Sequence, residues 1–84
     1  MNELLENRVR AVAANIRRIR ESKSYTQDYL AVKLDISQNA YSKIELGYTK
    51  ITVERLFQIS QILEVTPLDL IGFDEEARFR LQKV

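Results

Sequence analysis

Between Thr26 and Gly47 the chain reads TQDYLAVKLDISQNAYSKIELG: two short runs with apolar residues at helical spacing, each opened by a hydroxyl residue, and no proline. Leu30, Ala31 and Leu34 share a face in the first run, and Tyr41 and Ile44 share one in the second. Only Asp35 and Ile36 lie between the second apolar face's cap and the first run. A connection that short forces two helices to meet at an angle, with the small Ala31 where they approach.

The flanking sequence supplies partners. Leu5, Val9, Val12, Ile16 and Ile19 recur at four- and three-residue steps, which predicts a helix from about Leu4 to Ser22. Thr26 caps the next helix and Ser37 the one after. Tyr25 with Leu30, and Ile36 with Tyr41, have the spacing of hydrophobic staples. Gly47 suits a left-handed helix end. Thr52 caps a fourth helix with Val53, Leu56, Phe57, Ile59, Ile62 and Leu63 as its apolar side. Thr66-Pro67-Leu68-Asp69 combines a hydroxyl cap, proline at the first position and an acid in the first turn, and Gly72 closes that fifth helix. In the tail FDEEARFRLQKV, Ala77, Leu81 and Val84 have helical spacing, whereas Phe79 and Leu81 alternate with polar residues as a strand would; helix or partial order is the preferred reading. The expected organisation is a helical domain over 12–71, an N-terminal extension of the first helix over 1–11, and a tail over 72–84 that is a candidate dimer element.

Composition narrows the chemistry. With 84 residues a single all-α domain is expected, and one so small buries a modest core. Cysteine and histidine are absent, which removes disulfides, thiol chemistry and the common zinc sites as props and leaves association with a partner subunit. There is no Gly-rich phosphate loop and no clustered carboxylate pair for acid–base work, so an enzyme is disfavoured and no cofactor or metal is expected. The apolar stretches are too short to span a membrane and MNELLENRVR lacks a signal-peptide core, so a cytoplasmic location is the default expectation. The net charge of +1 says little, but its distribution is uneven. Arg8, Arg10, Arg17, Arg18, Arg20 and Lys23 dominate the first segment, whereas Glu64, Asp69, Asp74, Glu75 and Glu76 follow one another without a base.

The outer face of the third helix, about Gln38–Leu46, is unusual. Gln38, Asn39, Ser42 and Lys43 replace the Glu/Lys pairs of an ordinary solvated face. Amides match adenine edges, lysine donates to guanine, and serine serves either. On side-chain type alone an ordinary polar surface is the favoured reading.

Taken together, Ile16-x-x-Ile19-Arg20, Thr26-Gln27-x-x-Leu30-Ala31, Ile36-Ser37, Ile44-Glu45-x-Gly47 and Leu56 to Leu63 with Val65 resemble the Cro/phage-repressor (XRE-like) helix-turn-helix family. The resemblance covers about 12–71, in register and without a gap. It implies a five-helix domain with the helix-turn-helix at about 27–46. It further implies base contacts from Gln38, Asn39, Ser42 and Lys43, and phosphate contacts from Gln27, Ser37 and the loop Tyr48-Thr49-Lys50. Arg20 and Glu45 would form a structural ion pair. The family usually carries glycine where this chain has Ser24, Asp35 and Glu64, positions of left-handed backbone. Tyr29 stands where a capping-box glutamate is common, so that cap is half made.

The function implied is a sequence-specific regulator of transcription on double-stranded DNA, acting as a homodimer on a pseudo-palindrome. Leu68, Ile71, Phe73, Phe79 and Leu81 are the expected dimer surface, with Leu4, Leu5 and Val9 the alternative. A different class is an antitoxin or adaptor that uses the same fold on a protein partner such as a toxin or polymerase; the near-neutral charge favours it modestly and the amide-rich third helix disfavours it.

Overall fold

The computed structural model describes residues 3–72. They form five helices: α1 (Glu3–Ser22), α2 (Gln27–Leu34), α3 (Gln38–Glu45), α4 (Val53–Leu63) and α5 (Pro67–Ile71). The expected tail preference and the dimer candidates Phe73, Phe79 and Leu81 lie outside the described residues. Within them, no helix is long and apolar enough to cross a membrane.

Helices α2 and α3 have eight residues each, well below the roughly 12–15 at which an isolated helix begins to hold in water. Tertiary burial therefore makes them. Ile16, Leu30, Ala31, Leu34, Tyr41, Ile44, Ile59, Leu63 and Leu70 form one buried cluster drawn from all five helices. Each fully buried aliphatic side chain there contributes about 1.5–3 kcal/mol. Ala31 is buried at the α2–α3 contact, where a larger side chain would push the helices apart.

Three corners are built to one plan. At Ser24-Tyr25-Thr26, Asp35-Ile36-Ser37 and Glu64-Val65-Thr66, a left-handed residue is followed by an apolar residue and then a hydroxyl cap. The left-handed amides bond back to Glu21, Val32 and Gln61, and the next amides to Arg20, Ala31 and Ser60. That paired closure satisfies carbonyls that a helix end leaves open. Tyr25, Ile36 and Val65 are half-buried against the core. Each stands five residues before a fully buried residue: Leu30, Tyr41 and Leu70 respectively. One apolar side chain thus closes one helix and staples the next. Gly47 (φ +78) makes the same closure at the end of α3, its amide bonding to Ile44 and that of Tyr48 to Lys43.

Thr26, Ser37, Thr52 and Thr66 all accept a first-turn amide on their side-chain oxygens. Asp69 returns the bond at Thr66, completing a capping box, and those bonds hold its carboxyl below the usual range. Two expectations for α4 need correction. Val53 and Phe57 are 68% and 50% exposed, not inward. Phe57 lies about 100° around the helix from Leu56, and Val53 starts the first turn, so the core sector passes to Ile59, Ser60 and Leu63. Leu5 and Val9 are likewise largely exposed, because α1 runs beyond the core there.

Ser24, Asp35 and Glu64 have φ of 59°, 58° and 58°. A side chain in that conformation costs about 1–2 kcal/mol per residue, least for aspartate. Glu64 recovers little, since its carboxylate accepts only a long 3.4 Å bond from the Tyr25 hydroxyl. Glu64→Gly is expected to stabilise the domain by about 0.5–1 kcal/mol, raising the melting temperature by several degrees. Unchanged or lower stability in thermal denaturation would show that the Tyr25 contact outweighs the backbone strain.

Candidate nucleic-acid interface

The third helix divides sharply by face. Tyr41, Ile44 and Glu45 are buried, while Gln38, Asn39 and Lys43 are exposed. Ser42, expected to face outward with them, is half-buried. It lies only about 60° around the helix from buried Glu45, at the edge of the inward sector. Ser37 accepts the Ala40 amide at 3.0 Å, which leaves its O–H free to donate outward. The Gln38 and Asn39 amides open the helix without an intrahelical acceptor, adding a positive dipole end to the same surface.

A cleft of about 410 Å³ runs beside this helix, lined by Ser37, Asn39, Lys43, Thr49, Lys50 and Thr52 among others. The fold therefore gathers the base-contact candidates Asn39 and Lys43 with the phosphate candidates Ser37, Thr49 and Lys50. Gln38 and Tyr48 are exposed but do not line the cleft; Tyr48 is 78% exposed. Arg55 completes the lining and was not among the candidates read from the sequence. Its Nη1 donates to the Leu34 carbonyl at 3.4 Å and to Gln58 Oε1 at 3.1 Å. No local pattern marks it: its place at the cleft follows from the packing of α4 against α2, whose Leu34 carbonyl it reaches.

Beneath the helix lies a buried charge pair. Arg20 Nε donates to Glu45 Oε2 at 2.6 Å and Nη2 to Oε1 at 3.0 Å, a two-pronged grip, while Nη1 donates to the Tyr25 carbonyl at 2.8 Å. The residues are 9% and 7% exposed. Gln27, at the start of α2, donates Nε2–H to Glu45 Oε1 at 3.1 Å. One N–H of that amide is thereby committed, and its second N–H remains for an outside acceptor. Burial works against the Glu45 carboxylate, but the Arg20 guanidinium, helped by Gln27, holds it below the usual carboxylate range. The Glu45 hydrogen bonds raise Arg20 against its own desolvation. Burial keeps the Tyr41 hydroxyl neutral, and among the described residues it has no hydrogen-bond partner. This network fixes α1, α2 and the end of α3 to one another. It holds the presenting helix and takes no part in its outer face. No cluster of metal-ligating side chains occurs among the described residues.

Comparison with known proteins agrees with the geometry. A family model described as helix-turn-helix matches residues 16–70. A protein of Sinorhizobium fredii named as an uncharacterized HTH-type transcriptional regulator, y4dJ, is 31% identical over 68 residues, covering 81% of this chain and 88% of that protein. No solved structure matches the chain at a significant level.

Removing one partner of a buried ion pair strands the other, at about 3–5 kcal/mol. Glu45→Gln is expected to lose that much in chemical denaturation. The pair's contribution in the wild type is present above the unfolded carboxylate pKa of about 4.3. It fades as pH falls through the depressed value of folded Glu45. Wild-type stability should therefore fall more steeply below about pH 4 than that of Glu45→Gln. Equal stability of the two proteins at neutral pH would mean that the pair contributes nothing net.

Proposed function

We propose, since the chain belongs to the helix-turn-helix family, that it is a DNA-binding transcriptional regulator whose α3 reads base edges in the major groove. The observation that carries this reading is the division of α3. Its inner face is fixed by Tyr41, Ile44 and the Arg20–Glu45 pair, while Gln38, Asn39 and Lys43 stand exposed at its N-terminal half. In a helix-turn-helix the N-terminal half of the second helix meets the bases. Ser42 contributes from the edge of that face. Gln27, Ser37, Tyr48, Thr49 and Lys50 bind phosphates on either side, and Arg55 adds its charge to the cleft floor. Phosphate contacts set register and affinity, and the α3 side chains set sequence.

One such domain covers few base pairs, so a homodimer on a pseudo-palindrome is proposed, its half-sites about 34 Å apart. Leu68 and Ile71, 61% and 50% exposed, supply the described part of the dimer surface; Phe73, Phe79 and Leu81 supply the rest. Such a protein works in the cytoplasm on double-stranded DNA.

Selection from random duplex DNA tests the reading. The wild type should enrich a two-fold-symmetric motif. Gln38→Ala/Lys43→Ala should lose the motif yet keep salt-sensitive binding to any duplex. Lys50→Ala should weaken binding to all sequences and lower the salt slope by about one. Absence of an enriched motif, with identical weak binding by all three proteins, would sink base readout and point to a protein partner, as an antitoxin or adaptor has.

A further inference from the structure

We propose that Arg55 is the anchored donor of an oxyanion site in the cleft beside α3, and that this site grips a backbone phosphate of the duplex whatever the base sequence. Arg55 thereby becomes a direct contact and not only a nearby charge. The oxyanion site stands on its own geometry; only the source of the phosphate rests on the DNA-binding function proposed above.

Arg55 is half-buried, yet among the described residues it forms no ion pair with a carboxylate. A cation drawn partly out of water is ordinarily matched by an opposite charge. Both of its side-chain bonds come from one nitrogen: Nη1 donates to the Leu34 carbonyl at 3.4 Å and to Gln58 Oε1 at 3.1 Å. The Nε–H and both Nη2 protons therefore have no acceptor among the described residues. The Leu34 bond also serves the fold. The Asp35 and Ile36 amides close α2 on Val32 and Ala31, so they leave the Leu34 carbonyl open, and a cation suits that negative helix end. This explains Nη1 alone. It pins the guanidinium and leaves its other donors for an acceptor from outside.

The surroundings name the class of acceptor. Arg55 stands between two depressions. Asp35 and Glu54 line the one towards α2, and neither pairs with it. The other is the 410 Å³ cleft, where Lys43 and Lys50 join Arg55 and no acid is present among the described residues. Ser37 and Thr52 line the same cleft. Each already accepts a first-turn amide on its hydroxyl oxygen, so its O–H is left to donate. Cationic and neutral donors around one space, with no carboxylate to occupy them, match a phosphate, whose oxygens only accept. A guanidinium grips such a group with two parallel bonds, which a point charge does not. Arg55 belongs to α4 and not to the α3 face that carries Gln38, so it bears on affinity and register and not on sequence.

Duplex affinity of the full chain, measured over a range of salt, tests the contact. Arg55→Gln should weaken binding to the selected duplex and to a random duplex alike, by about three- to tenfold. It should lower the salt slope by about one and leave the enriched motif unchanged. Arg55→Lys keeps the charge without the two-pronged donor, so it should keep the slope and still lose roughly two- to threefold. A role confined to the Leu34 carbonyl would lower the melting temperature and leave slope and affinity alone, and that result overturns the proposal. A loss restricted to one sequence overturns it too, by making Arg55 a base reader. A second measurement judges the site without DNA, should the wild type bind no duplex. Inorganic phosphate, titrated against chloride at equal ionic strength, should saturably shift the Arg55 Nε–H resonance of the wild type, and the backbone amides of 49–52 in the wild type but not in Arg55→Gln. With no duplex binding, such a shift keeps the oxyanion site, assigns it a free phosphate ester and overturns the duplex as its source; no shift overturns the site itself.

Discussion

The architecture depends on one backbone device repeated three times. A helix ends on a left-handed residue, the next residue is apolar and half-buried, and a hydroxyl then starts a new helix. The middle residue of each corner contacts the core from the helix that ends and from the helix that begins, so the turn angle is fixed by burial and not by loop length. This is why α2, α3 and α5 can be so short. Each is bracketed by a closed C-terminus before it and a capped N-terminus of its own, and each places its fourth residue, Leu30, Tyr41 or Leu70, wholly inside. Side chains at two of the most strained backbone positions, Ser24 and Glu64, are tolerated because the corner's bonds and burial over-determine the conformation.

Those corners explain what could be read from the sequence. The caps at Thr26, Ser37, Thr52 and Thr66 and the closure at Gly47 are local chemistry, and local chemistry is visible in residue type. The left-handed sites at Ser24, Asp35 and Glu64 were legible only through the family resemblance, because none of the three residues announces that backbone by itself. Where inference failed, the deciding quantity was three-dimensional. Phe57 and Val53 belong to an apolar pattern yet lie outside, since whether a flanking position is covered depends on which helix passes over it. Ser42 is drawn partly inward by its neighbour Glu45, a charged residue that periodicity alone would have placed in solvent. The Arg55 contribution to the cleft depends on how α4 packs against α2, which no local signal encodes.

The Arg20–Glu45 pair joins the scaffold to the face it presents. It is an expensive interaction by desolvation, and a hydrophobic pair of similar size would often stabilise as much. Its geometry does what an apolar contact would not. The two-pronged guanidinium fixes the rotation of α3 about its axis, and so fixes which residues face outward. Gln27 is held by the same carboxylate, which gives the first residue of α2 a set position relative to α3. On the proposed function, a phosphate contact from Gln27 and base contacts from Gln38, Asn39 and Lys43 would then share one rigid reference.

Charge placement bears on how such a surface would find a polyanion. The net charge of +1 excludes general attraction as the source of binding. Lys43, Lys50 and Arg55 instead gather at one cleft, while Glu64 and Asp69 stand at the other end of the helical order. At physiological salt, charges more than about 8 Å apart through solvent are largely screened. A phosphate at the cleft would therefore respond to the nearby cations and hardly at all to the acids at α5. With so few cations per domain, the phosphate term available to one copy is small. A second copy on the same duplex would roughly double it without adding a single contact to either domain, and that arithmetic is the physical case for a dimer independent of any symmetry in the target.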